Sequence, residues 1–157
     1  MPKPNGTLSW DINEMSRVLK VGVDDVRAYF TDGRRVSFLL ERRIAYEVVK
    51  GQLAPSEGAG FDLIDSTGKK WEVRSITNSS GIYFCPSYMV GSGRQFDEPG
   101  FLRKLNELEG YIVSDVEQFP NIPFWIVQKI TVLGWYNNNQ LGAGTKISRA
   151  RALALLR

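Results

Sequence analysis

Apolar positions along this chain change period several times, and each change marks an element. From Trp10 to Phe30 they recur at helical spacing: Met15, Val18 and Leu19, then Val26, Tyr29 and Phe30 after a break at Gly22. Acidic residues at Asp11 and Glu14 favour a helix start. Two short helices around a Gly-containing turn fit either a helical cap on a core or a helix-turn-helix. Residues 31–35 predict a turn, and a helix follows over 36–50. Leu40, Ile44 and Val48 form its apolar stripe, Ser37 is its expected N-cap, and Gly51 ends it. Arg43 and Glu47 can pair on its polar side, while Glu41 lies at the edge of the stripe.

The period then shortens to two. Residues 53–60, with Pro55, Gly58 and Gly60, read as a flexible connection into a tight hairpin over 61–74. Ser66-Thr67-Gly68 forms the loop, with Gly68 at the position where the backbone turns left-handed. That loop pairs Asp65 with Lys69 and sets Asp62 opposite Glu72. Phe61, Leu63, Trp71 and Val73 then share a core face, and Asp62, Ile64, Lys70, Glu72 and Arg74 share the other. Like charges across a strand pair repel. Two carboxylates placed so imply a third charge between them, and Mg²⁺, which takes one or two carboxylates and fills its shell with water and phosphate oxygens, fits.

The strand is expected to run on through 75–77, with a turn at 78–81 and a short strand at 82–85. The Ser/Gly/Tyr-rich stretch 86–93 has no period and reads as a loop. Asp97 and Pro99 open a helix buried through Phe101, Leu102, Leu105 and Leu108. A strand at 111–116 follows, then a rigid connection at 119–123, and a long strand over 124–136 that contains Lys129. The tail carries Lys146, Arg149, Arg151 and Arg157 on an amphipathic helix whose packing face is Ile147, Ala150, Leu153 and Ala154. Such a helix is a candidate phosphate contact or a solvated packing element.

Composition narrows the chemistry. The chain of 157 residues, 43% hydrophobic and 24% charged, suits one globular domain. We divide it into a helical segment at 1–35, a core at 36–136 and a basic segment at 137–157. No apolar run reaches the length of about 18 residues that a membrane span needs. The first six residues lack the apolar core of a signal peptide, and the single cysteine, Cys85, suits a reducing cytoplasm. A net charge of +3 permits a polyanionic partner. With no histidine at all, a zinc site is disfavoured, and Ser-His-Asp and Cys-His catalysis are excluded. Carboxylates, lysines, tyrosines and a metal ion remain.

Helix with Glu41, hairpin with Asp62, then Glu72-Val73-Arg74, strand, helix, strand, strand: in this order the chain resembles the PD-(D/E)XK nuclease superfamily, and within it the type II restriction endonucleases. The resemblance implies an α/β (α+β) fold with a restriction-endonuclease-like core, a mixed β-sheet flanked by helices, here with an N-terminal helical segment. It maps Asp62 onto the first acid, Glu72 onto the second, Arg74 onto the lysine position and Glu41 onto the helix glutamate. The nine residues between Asp62 and Glu72 are within the family's range. Phe61 stands where proline is usual. Arginine, with a pKa above about 12, cannot serve as a general base but can hold a phosphate. Lys70 or Lys129 is an alternative source of the amine.

What the resemblance implies is a Mg²⁺-dependent endonuclease acting on double-stranded DNA, with Asp62 and Glu72 as metal ligands. It would be a homodimer matched to a palindrome. Lys70, Arg94, Lys146 and Arg149 are the expected DNA contacts. Two other classes stay open: a DNA-binding module without catalysis, or an inactive nuclease-fold protein, and a protein that only mediates assembly.

Overall fold

The computed structural model describes residues 3–156; Met1, Pro2 and the Arg157 of the expected basic tail lie outside the described residues. Its centre is a mixed sheet of six strands: β1 (Gly6–Ser9), β2 (Gln52–Leu53), β3 (Leu63–Ile64), β4 (Lys70–Ile76), β5 (Gly110–Asp115) and β6 (Asn121–Gln128). The strand order is β1-β6-β5-β4-β3-β2. Only β4 and β5 run parallel. A parallel pair needs a crossover, and helix α4 (Glu98–Glu107) supplies it.

Helices cover both faces. On one side α1 (Ile12–Leu19), α2 (Val23–Phe30) and α3 (Gly33–Arg43) pack Val26, Phe30, Val36 and Leu40 against Leu63, Trp71, Val73 and Ile112. On the other, α4, α5 (Lys129–Asn137) and α6 (Arg149–Leu155) pack Phe101, Leu105, Val132 and Ala152 against Ile76, Tyr111, Val113 and Trp125. Every position of β5 is buried, as expected of a central strand covered on two sides. The α1–α2 pair is a cap on the first core: Arg27 Nη1 donates to the Phe119 carbonyl at 2.7 Å.

The hairpin turn forms as the sequence implies. Asp65 N donates to Lys69 O at 2.9 Å, and Gly68 sits at φ 85°. Asp65 staples it. Its Oδ1 accepts from Thr67 N, Thr67 Oγ1 and Lys69 N at 2.8, 2.6 and 3.0 Å, and its Oδ2 accepts from Trp71 Nε1 at 2.9 Å. Burial pushes this carboxyl up, but those hydrogen bonds outweigh it and leave the group at about 2.

Several expectations are corrected. Helix α3 begins at Gly33 rather than Val36, because Asp32, not Ser37, caps it through Arg34 N and Arg35 N at 3.0 and 3.3 Å. Gly33 suits that start, since a Cβ there would meet Thr77 Cγ2 at 3.0 Å. The last turns expected of this helix form a π-helical segment, Ile44–Val48. Residues Gly6–Ser9 and Gln52–Leu53 are short strands that too few residues announced.

The long strand expected over 124–136 ends at Gln128, and α5 follows. Gln128 pairs with Gly110, the first residue of β5. Beyond it there is no strand to pair with, so the backbone must satisfy its own hydrogen bonds. At 82–85 there is a single bridge, Ile82 to Ile147, in place of a strand. In α6 the buried residue is Ala152, while Ala150 and Ala154 are exposed.

Asp65→Ala removes the turn's shared acceptor. It is expected to lower stability by about 1–2 kcal/mol in urea unfolding, with the loss shrinking as pH falls from about 4, where the unfolded chain takes up the proton, to about 2, where the native carboxyl does.

Candidate active site

The site grows from a strand that stops early. The hairpin register holds through Leu63↔Trp71 and Ile64↔Lys70. At Asp62 it breaks: Asp62 N donates to Trp71 O at 3.0 Å, so Asp62 and Leu63 both answer to Trp71, the pattern of a β-bulge. Two consequences correct the sequence reading. Phe61 is turned to the second core, under the Lys70 ammonium at 5.0 Å, instead of joining Leu63. Asp62 does not stand in line with Glu72. It lies along the open edge of β4, where Oδ2 accepts from Val73 N at 2.8 Å.

The two acids nonetheless meet. Glu72 is only 7% exposed, on the face of β4 that looks to α4, and its carboxylate lies near enough to Asp62 for the two charges to repel. Burial first, then the Glu72 charge, push Asp62 up to about 6. Two cations answer them: Arg74 Nη1 lies 2.8 Å from Glu72 Oε2, and Lys104 Nζ of α4 lies 2.9 Å from Oε1. The chain's own side chains thus occupy the place where the repulsion argument expected a metal.

Glu41 approaches from α3. It lines an open cleft of about 940 Å³ together with Asp62, Arg74, Ser37, Ser75 and Tyr83. Burial, then the Asp62 charge, raise it to about 7. The helix glutamate, the hairpin acid and the arginine are therefore brought to one cleft, with Glu72 beside two of them.

The far wall is held by an unusual loop. Arg74 donates from Nε to Tyr83 O at 3.2 Å and from Nη2 to Cys85 O at 3.3 Å. Phe84 N and Cys85 N donate in turn to Thr145 Oγ1 at 3.0 and 2.8 Å. Thr145 sits at φ 63°, a left-handed conformation that costs a β-branched residue about 1–3 kcal/mol. Gly81 permits this closure, since a Cβ there would lie 2.0 Å from Ile147 O. These backbone groups are spent on side chains, and that is why 82–85 forms no strand.

The expected DNA contacts are scattered. Lys70 lies on the Phe61 ring near Glu72, and Arg94 donates to Ser87 O and Val90 O at 3.2 and 3.3 Å. Lys146 is exposed beside the Ile82–Ile147 bridge. Arg149 is committed to Asp115, with contacts of 3.0 and 2.7 Å. Lys129, one alternative amine, donates instead to Asn106 O at 3.0 Å. The amine at the acids is Lys104. Sequence reasoning missed it; the one signal was its place beside Phe101 and Leu105 on the apolar side of α4, where a charged residue needs a partner.

Among the described residues, no three His, Cys, Asp or Glu side chains stand close enough together to hold a metal ion. The pair Asp62–Glu72 offers two neighbouring carboxyls, a donor set that suits a hard, largely hydrated cation such as Mg²⁺ and not a closed protein cage. In comparisons with known proteins, no family model matches this chain and no curated protein matches it.

Asp62 and Glu41 both titrate above their ordinary values. The folded protein therefore holds more protons than the unfolded chain between about pH 4 and 7. Metal-free stability from these groups is full at the acid end and is lost as pH rises through that window, by roughly 1–2 kcal/mol after allowance for solvent screening. Urea midpoints measured from pH 5 to 8 should fall more steeply for the native chain than for Glu41→Gln.

Proposed function

We propose that this protein is a Mg²⁺-dependent endonuclease that hydrolyses phosphodiester bonds of double-stranded DNA, built on a restriction-endonuclease-like core and acting as a homodimer. The observation that carries the reading is the meeting of Asp62 and Glu72 at the end of a hairpin, with Arg74 beside them and Glu41 across the cleft. The architecture supports it: a mixed sheet with helices on both faces, α3 before the β3–β4 hairpin and α4 after it, agrees with the core the resemblance implies, although the strand expected at 82–85 is a single bridge.

Asp62 and Glu72 are the residues to hold Mg²⁺, with Glu41 near enough to bias them electrostatically. When bound, the ion supplies a more acidic water and neutralises charge on the scissile phosphate. Asp62 is fixed for its part by Val73 N, and Glu72 by Arg74. Glu41, at about 7, can take a proton in the cleft near neutral pH. In-line attack of water on phosphorus breaks the bond to the 3′ oxygen and leaves a 5′-phosphate and a 3′-hydroxyl. Hydroxyls of Ser37, Ser75 and Tyr83 on the cleft wall are suited to phosphate contact. Symmetric cutting of both strands requires two copies.

One observation favours a second reading, an inactive nuclease-fold protein that binds DNA. Glu72 is already neutralised by Arg74 and Lys104, so the site is electrically complete without a metal.

Incubation with supercoiled plasmid separates the two. The nuclease reading expects nicked and linear products with Mg²⁺, none with EDTA, and a loss of about 10³-fold or more in Glu72→Ala and Asp62→Ala. Tight DNA binding by gel shift with no product in any divalent cation would establish the second.

A further inference from the structure

Arg74 and Lys104 both meet Glu72, yet they are not equivalent. A guanidinium has five N–H donors. Those of Arg74 go to Tyr83 O, Val73 O, Cys85 O and Glu72. To turn toward a ligand, Arg74 would have to abandon three part-buried carbonyls at once. Arg74 is therefore a fixed charge.

Lys104 is the opposite case. Its ammonium has three donors, and among the described residues its one partner is Glu72, at 2.9 Å. Its backbone is anchored by buried Phe101 and Leu105 on α4, while its four-carbon stem is flexible. The ammonium sits under Gly60, where an added Cβ would come 3.5 Å from Nζ. Nζ thus lies beside the segment that leads into Asp62.

We propose that Lys104 is the exchangeable counter-charge of this site. It neutralises Glu72 in the metal-free protein, releases that carboxylate when a divalent cation is bound there, and then presents its ammonium to the phosphate under attack. The phosphate-holding role that the resemblance gave to Arg74 passes to Lys104, and Arg74 keeps Glu72 in place. This assignment rests on the nuclease reading. In the reaction, the water oxygen bonds to phosphorus as the bond to the 3′ oxygen breaks. The leaving oxygen takes its proton from solvent, and the proton of the attacking water passes to solvent. Lys104 supplies charge and hydrogen bonds and exchanges no proton.

The test compares the native chain with Lys104→Met and Lys104→Arg, by calorimetric titration with Mg²⁺ and by plasmid cleavage at saturating Mg²⁺. Removing the competing cation should tighten Mg²⁺ binding by about tenfold or more in Lys104→Met. Cleavage by the same variant should fall by about 10²–10³-fold. Lys104→Arg should restore part of the rate and weaken Mg²⁺ binding toward the native value. A purely packing role moves both measurements in the same direction, so the opposed shifts are the signature. Should Lys104→Met fail to give native circular dichroism, Lys104→Gln carries the same expectations. Cleavage within threefold of native, or Mg²⁺ affinity unchanged or weaker, overturns the role of Lys104 and leaves the nuclease reading standing. A native chain that neither binds Mg²⁺ nor cuts DNA overturns both.

Discussion

Two carboxylates brought close together inside a protein are a liability that the rest of the fold must answer. An unpaired buried ion costs several kcal/mol even after relaxation. Asp62 and Glu72 are compensated from three directions: the Val73 amide, Arg74 on the same strand and Lys104 on the crossover helix. Each requires a particular piece of architecture. Strand β3 must end early so that the edge amide of Val73 is free. Helix α4 must cross behind β4 so that Lys104 can reach. The 82–85 loop must wrap back so that its carbonyls saturate Arg74.

The parallel β4–β5 pair is what makes these demands compatible. Because β5 runs beside β4 in the same direction, the link between them has to pass over one face of the sheet as α4. That face is the one toward which Glu72 and Arg74 project. The opposite face receives α3, and with it Glu41. Acids and cations drawn from three separate stretches of chain are thus assembled around one strand edge, and the apolar contacts of Trp71, Val73 and Ile112 on one side and of Tyr111 and Val113 on the other keep that strand from moving.

Where the sequence carried a local rule, it was legible. The hairpin turn, its Gly68 and its Asp65–Lys69 pairing follow from short-range backbone preferences, and the buried Val26 and Phe30 of α2 and Phe101 and Leu105 of α4 from helical period, whereas Val18 and Leu19 of α1 and Tyr29 of α2 are exposed. The two hairpin acids were picked out as a pair by a register that the bulge at Asp62 breaks, so their proximity was legible but not their placement. What compensates them was not legible either. Lys104 is thirty-two residues from Glu72, and only its position inside an apolar stripe betrayed it. The bulge at Asp62 depends on where the neighbouring strand stops, which is a tertiary matter. The same holds for β6, whose apolar run continues past the point where its partner begins. There the supply of hydrogen-bonding neighbours, not side-chain preference, ended the strand. The 82–85 segment had the composition of a strand, but its amides and carbonyls were claimed by Thr145, Tyr111 and Arg74.

Thr145 carries a consequence for the order in which this protein comes into being. Asp62, Glu72, Arg74 and Lys104 all leave the ribosome before Thr145 does. The hydroxyl that fixes Phe84 and Cys85, and through Cys85 one end of the guanidinium, arrives only with residues made late. A nascent chain paused before that point has every acid of the cleft and no rigid wall opposite them. The wall of the site therefore waits on a single strained threonine 61 residues downstream of Phe84.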